Sequence, residues 1–221
     1  MLLTCLYIVL GTLVFFYLQV TAAKLSAKDI LKPYSHGDEL IKKDLSQVKA
    51  SVEFMEEQQL NTLTTQYEVI ESKKEHHMKV AKLMNAYYFA STLTLTILTI
   101  ALGLQILMMA EDGIKDQTET FQAIFYSLLC LTAFFGILIK VLDHKGNIAT
   151  NLKSYLAFSS IQLRIYNYLV TGGMVEGKTE VISPGQFISA TNTEIDRVNN
   201  ITFGIKHENI KSANEILNYG N

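Results

Sequence analysis

Residues 83–110 read LMNAYYFASTLTLTILTIALGLQILMMA, and residues 121–139 read FQAIFYSLLCLTAFFGILI. Neither run contains a charged side chain. Lys82 and Glu111 bracket the first, and Glu119 and Lys140 bracket the second. A helix needs roughly 20 apolar residues to cross a hydrocarbon core of about 30 Å. In lipid, a spanning segment has no partner for its backbone polar groups except itself. Both runs meet that length, so the pattern predicts two antiparallel membrane-spanning helices joined by the acidic link 111–120. The fold class expected is an all-α membrane protein with a transmembrane helical hairpin at its centre.

Hydrophobic residues make up 49% of the chain and charged residues 18%. That mixture suits a membrane protein with sizeable aqueous parts rather than a soluble domain. A formal net charge of −2 supplies no global basic field for nucleic acid. The two cysteines, Cys5 and Cys130, both sit inside apolar runs and make neither a disulfide framework nor a metal site. No proline lies between Pro33 and Pro184, so little interrupts helices there. The chain has no Trp, which leaves Tyr to build any interfacial belt.

Residues 1–23 carry no charged side chain. Val20-Thr21-Ala22 offers small residues at a cleavage point, but there is no basic n-region and the apolar stretch exceeds a typical h-region. An amino-terminal signal-anchor helix fits better. Lys24, Lys28, Lys32, Lys42 and Lys43 follow it, and Lys140, Lys145 and Lys153 follow the last run. The link carries Glu111, Asp112, Asp116 and Glu119 against Lys115 alone. The positive-inside rule then puts the amino terminus outside, residues 24–82 inside, the link outside and the carboxyl tail inside. All three spans agree under this one assignment. The Asn200-Ile201-Thr202 glycosylation signature would lie inside and stay bare.

The expected organisation is a 1–23 anchor, a 24–37 linker, a 38–170 unit, a 171–182 loop and a 183–221 helical tail. The 38–170 unit comprises a long amphipathic helix, the hairpin and a returning helix. Ile41, Leu45, Val48, Val52 and Met55 step by four and three, which is a heptad seam. The register slips near Gln58-Gln59, resumes with Leu60, Leu63, Tyr67 and Ile70, then meets Lys74, His77 and Ala81. No Gly or Pro interrupts 38–102, so one helix of about 65 residues, roughly 100 Å long, is allowed. The stripe reads as packing on the protein's own later helices, as an oligomerising coiled coil through residues 38–70, or as a helix lying on the membrane surface. Its distal part is assigned to a second copy or another protein subunit, because the returning helix is shorter than the seam.

In 141–170, Ile148, Leu152, Tyr155, Ser159, Gln162, Tyr166 and Leu169 make one face, widened by Leu156 and Leu163. Ser183, Pro184 and Gln186 form a helix start with a capping box. Ile188, Ile195, Val198 and Thr202 then follow in step, and a short helix over 208–217 closes the chain.

Gly172–Thr179 matches a phosphate-binding loop in spacing, but that chemistry needs a strand before it and a helix after it. The preceding segment reads as helix, so the stretch is a solvated loop and no nucleotide or other small-molecule substrate is expected. The five histidines have no metal-ligand spacing. His76 and His77 lie about 100° apart on a helix and read as solvated. No catalytic, cofactor-binding or metal residue is expected, and the chain makes no case as an enzyme.

Within the runs, Asn85, Tyr88, Thr92, Thr96, Thr99 and Gly103 form one stripe, and Ala123, Ser127, Cys130, Ala133 and Gly136 another. Small residues permit close helix approach and hydroxyls bond across helices. The same stripe can line a water-filled path when several hairpins assemble. No ionisable residue in either run offers a proton relay.

An amphipathic helix enters the hairpin through Ala81-Lys82-Leu83-Met84-Asn85-Ala86-Tyr87-Tyr88. After the hairpin come Lys140, Val141, Leu142 and His144, then Tyr155-Leu156, Phe187-Ile188 and Glu194-Ile195-Asp196-Arg197-Val198. Over residues 48–206 this arrangement resembles the SLATT family, two-span proteins proposed as membrane effectors in nucleotide-triggered defence systems. The resemblance implies an oligomer that permeabilises or remodels a bilayer. A second class is a structural anchor tying a protein shell or large complex to a membrane, such as a virion membrane or minor capsid component. The additional first span and the long helix favour the anchor, and the polar stripe favours the pore.

Overall fold

The computed structural model describes residues 2–30, 48, 52–110, 117–174 and 181–199. Among them the chain is all-α: α1 (Leu2–Ile30), α2 (Glu57–Met108), α3 (Glu119–Val141), α4 (His144–Val170) and α5 (Pro184–Val198). An isolated antiparallel bridge joins Met174 to Val181. Three helices are long and apolar enough to cross a membrane, within Leu2–Ser26, Glu57–Met108 and Glu119–Val170. The third range takes in α3 and α4, and its charge-free run 121–139 lies in α3. Ile41, Leu45, link residues 111–116, Lys178, Thr179, Asn200, Thr202 and the expected helix 208–217 lie outside the described residues.

The helices divide between two compact units. The first holds α1, α2 from Leu83, and α3 with its exit turn to Asn147. Leu98, Leu128, Leu131 and Phe135 are its buried core, with Ile8, Val9 and Phe16 of α1 packed against them. Phe16 lies 6.4 Å from Tyr87 and 5.2 Å from Phe135 between ring centroids. The Cys5 thiol contacts the Ala123 carbonyl at the start of α3, so α1 runs parallel to α3 and antiparallel to α2. Helix α3 begins with Thr118, whose side chain accepts from the Phe121 amide at 3.3 Å. Glu119 in its first turn and Lys140 in its last complement the helix dipole.

The second unit holds α2 up to Lys82, α4 from Ile148, and α5. Leu63, Tyr67 and Ile70 of α2 meet Phe158, Ile161, Ile165, Tyr168 and Leu169 of α4, with Phe187 and Ile195 of α5. The stripe before the hairpin therefore packs on the chain's own later helices. At the end of α4 the Gly173 amide bonds the Tyr168 carbonyl at 3.0 Å, with Gly172 at φ +67. This αL cap closes the helix. Gly172 and Gly173 of the supposed phosphate loop thus terminate a helix, and no strand precedes them.

Several sequence expectations are corrected. The single long helix does not form: residues 52–56 are non-helical and α2 begins at Glu57, next to the register slip at Gln58. Val52 and Met55 therefore continue no coiled-coil seam. With Val48 they pack against the core of the second unit. The segment 24–37 is not all linker, because α1 extends to Ile30. On α4 Tyr155, Gln162 and Leu169 of the expected face are buried, but the buried face as a whole is rotated away from Leu156 and Leu163. Asn151, Phe158 and Ile165 are buried, whereas Leu156 and Leu163 are 50% and 43% exposed. Polar Asn151 lies inside because it has a partner there, and that sets the rotation. Ser183 precedes α5 without capping a backbone amide, and its hydroxyl pairs with Gln186 Oε1 at 3.0 Å.

The rotation is testable. Phe158→Ala should cost about 3–5 kcal/mol of stability, and Leu156→Ala about 1 kcal/mol or less. Chemical denaturation followed by far-UV circular dichroism measures both, and equal losses would contradict the assigned face.

Candidate functional site

The buried polar groups of the second unit form a connected set on the stripe of α2 that faces α4. Lys74 is 2% exposed. Its Nζ donates to Gln162 Oε1 at 2.6 Å and lies 3.0 Å from Glu71 Oε2. Gln162 Nε2 donates to the same Glu71 oxygen at 2.6 Å, which closes a triangle. The Tyr155 ring lies 5.9 Å from the Lys74 nitrogen. One turn along, His77 is fully buried, its Nδ1 2.9 Å from Asn151 Oδ1 and its ring 5.5 Å from that of Phe158. An Nδ1–H tautomer donates to that carbonyl. His77 Nε2 has no hydrogen-bond partner among the described residues. His76 points outward, so the two adjacent histidines do face different ways, but the reading of His77 as solvated is overturned.

Polar contacts also seat α5. Gln66 Nε2 donates to the Ile188 carbonyl at 3.2 Å and to Asn192 Oδ1 at 2.7 Å. The Arg164 guanidinium pairs with both oxygens of Glu194. Tyr168 stacks on Phe187 at 3.9 Å and donates its hydroxyl to the Ile182 carbonyl at 2.8 Å. Burial pushes the Tyr168 hydroxyl pKa up.

In the first unit, α3 turns into α4 through Asp143, whose φ of +40 is a left-handed conformation that Asp tolerates. Gly146 lies against the Asp143 carboxylate, where a Cβ would collide. The Asn147 side chain donates to the Leu142 carbonyl at 2.8 Å. This tight turn delivers His144 into the interior, 2% exposed and 6.3 Å from the Tyr88 ring.

The residues singled out within the spans divide. Ser127 is buried and donates to its own Ala123 carbonyl at 2.8 Å. Asn85 is half-buried. Thr92, Thr96 and Thr99 face outward, and the last two bond back to Thr92 and Leu95 carbonyls at 2.9 and 2.8 Å. A Cβ at Gly103 or Gly136 would meet open space. Thr92, Thr96 and Thr99 thus face away from the helices of their own chain, and Gly103 and Gly136 are half-buried. The buried side of α2 is instead Ala86, Ala90, Ser91, Thr94 and Leu98.

A groove of about 510 Å³ runs between α1 and α3, walled by Val9, Leu13, Leu131 and Phe134 with both cysteines. No group of three or more His, Cys, Asp or Glu that could hold a metal occurs among the described residues.

No family model, curated protein or solved structure matches the chain. What the arrangement can do is therefore argued from its own geometry. Sequence reasoning passed over Asn147 and Asn151 and did not foresee the Lys74–Glu71–Gln162 triangle. The signal was present: Lys74 and His77 occupy positions where the α2 stripe otherwise places apolar residues.

Burial holds the His77 imidazole below its ordinary pKa of 6.5, and His76 and Lys73 act in the same direction against the Asn151 hydrogen bond. Burial likewise lowers His144, with Asp143 opposing. The unfolded chain then takes up protons at higher pH than the folded one. Stability is complete above about 6.5 and is lost as pH falls from there toward the depressed folded values. The Tm of purified protein should fall between about pH 7.5 and about pH 5, and His77→Gln should flatten the dependence. A Tm that rises on acidification would contradict this assignment.

Proposed function

We propose that the chain is a non-enzymatic, three-span integral membrane protein that works as an oligomer. It would permeabilise or remodel a bilayer in the manner implied by its resemblance to SLATT proteins. In this reading α1 is a retained signal-anchor, the amino terminus is outside, and the second unit and the carboxyl tail are inside. The parallel course of α1 and α3, with α2 antiparallel to both, supports three alternating crossings. The apolar exterior of these helices supports a lipid environment, with Leu10, Val14, Ile100, Leu104 and Ile137 all exposed.

One observation carries the oligomeric part. Thr92, Thr96 and Thr99 lie on one side of α2 outside the packing of the hairpin. A neighbouring copy can cover that stripe, or several copies can enclose it around water. A specific feature favours the second reading, a structural membrane anchor or scaffold. Val48, Val52 and Met55 are already packed internally, so the oligomer seam through Ile41, Leu45, Val48, Val52 and Met55 offers less apolar surface for self-association.

Disulfide trapping tests the stripe. In a background with Cys5→Ala and Cys130→Ala, single Thr92→Cys, Thr96→Cys and Thr99→Cys variants should crosslink between copies in membranes under mild oxidation. Ile97→Cys and Leu104→Cys, also exposed but on another side of α2, should not. Absence of crosslinks at all three threonines, with a monomeric mass by light scattering, would reject the oligomer and leave the anchor.

A further inference from the structure

Within the second unit, α2 and α4 grip each other unequally along their length. Toward α5 the core holds ten buried residues, from Leu63 on α2 to Ile195 on α5. That end is also tied by Gln66 to Asn192 and by Arg164 to Glu194, and Tyr168 stacks on Phe187. At the other end the buried apolar cluster is Met78 with Tyr155, and Leu152 packs partly buried beside them. Local opening starts where buried apolar contact is thinnest. His77 stands in that thin end.

Its surroundings suit only the neutral ring. His77 is fully buried, with Nδ1 2.9 Å from Asn151 Oδ1. Nε2 is buried without a hydrogen-bond partner, so a second N–H there would meet no acceptor. Burying an unpaired donor is costly, and burying an unpaired charge costs more. No carboxylate answers that charge. On α2, Glu71 is held by Lys74 and Gln162, and Glu75 is exposed and pairs with Lys79 at 3.5 Å. Lys73 and His76 on the same helix oppose protonation. From α4 the ring meets Asn151 and Phe158, and Tyr155 lies against the Lys74 ammonium; none of the three is a carboxylate. Helix α5 meets α2 at Gln66, about three turns away, and its Glu194 is held by Arg164. Burial is the main cause that keeps the imidazole below its ordinary pKa of 6.5. Parting of the helices restores the ordinary value. Closure is therefore complete above about 6.5 and is lost as pH falls from there.

We propose that His77 is an acid-sensitive latch: protonation of its ring parts residues 77–81 of α2 from residues 151–155 of α4, while the end of the same helix pair toward α5 stays closed. Opening uncovers Met78, Ala81 and Tyr155, which are buried in the closed form. One proton enters the ring on acidification and leaves it on neutralisation, so the step reverses. The latch uses the second unit alone and does not depend on the membrane reading. Within that reading it supplies a trigger, because acidity presents apolar surface on the residues that lead into the first uncharged run.

The test uses the full chain carrying Cys5→Ala and Cys130→Ala, with pairs of spin labels whose separation is read by double electron–electron resonance. Lys79→Cys with Lys153→Cys reports the His77 end, and Val69→Cys with Leu163→Cys reports the side toward α5; all four positions are exposed. Distances are compared at about pH 7.5 and about pH 5.5, on either side of the ordinary histidine value. The first pair should lengthen by about 5 Å at the lower pH, half the spacing of packed helix axes, and return on neutralisation. The second pair should not change. His77→Gln keeps a donor for Asn151 but takes no charge, and it should abolish the lengthening, with helix content by circular dichroism equal to that of the parent. His76→Gln and His144→Gln should leave the lengthening in place. An unchanged first pair in the parent protein would overturn the latch, whatever the variants do. Lengthening of both pairs together would make acid a global destabiliser and overturn it as well. Loss of the response in His76→Gln or His144→Gln, or its survival in a folded His77→Gln, would assign it to another group and remove His77 from it.

Discussion

The second unit depends on how Lys74 is satisfied. Taking an ammonium group out of water costs several kcal/mol unless an anion and good acceptors replace the solvent. Glu71, one turn earlier on α2, supplies the anion, and Gln162 of α4 supplies the acceptor. Gln162 must accept from Lys74 and donate to Glu71 at once. A slip of one residue turns α4 by about 100° and presents Ile161 or Leu163, which can do neither. Apolar contact alone tolerates several registers, whereas this triangle tolerates one. The His77–Asn151 pair repeats the constraint further along, and the Gln66 and Arg164 contacts carry it to α5.

The first unit, which holds the apolar runs, is built on different terms. Its helices meet through small residues such as Ala86, Ala90 and Ala123 and through a core of Leu and Phe. Hydroxyls at Thr96, Thr99 and Ser127 return to their own helix backbones. That arrangement satisfies these three hydroxyls within their own helices. Polar and aromatic partners reappear at the ends of the helices, where Tyr87, Tyr88, Lys24 and Lys145 meet.

Much of the fold was legible in the sequence because charge-free runs of membrane length have few alternatives. The helices over those runs, the stripe Leu63–Tyr67–Ile70 and the start of α5 at Pro184 follow from periodicity and from the fit of proline to a helix's first turn. The break at 52–56 was not legible from breakers, since no Gly or Pro marks it. The slip of apolar register at Gln58-Gln59 was the visible trace. The rotation of α4 was missed because Asn147 and Asn151 were passed over as polar side chains, whereas Gln162 was already placed on the inward face. The burial of the two asparagines follows only once partners on other turns or helices are known. The threonine stripe was legible as a stripe, but periodicity does not say whether a face meets its own chain, another copy or lipid.

Three alternating crossings are the claim on which the functional reading stands, and chemical labelling from one side of the membrane tests it most directly. With Cys5 and Cys130 replaced by Ala, single Asp116→Cys and Lys178→Cys variants would be exposed in intact cells to a thiol reagent that does not cross membranes. The account predicts modification at position 116 without disruption and at position 178 only after the membrane is opened. Modification of both positions in intact membranes, or of position 178 alone, would contradict it.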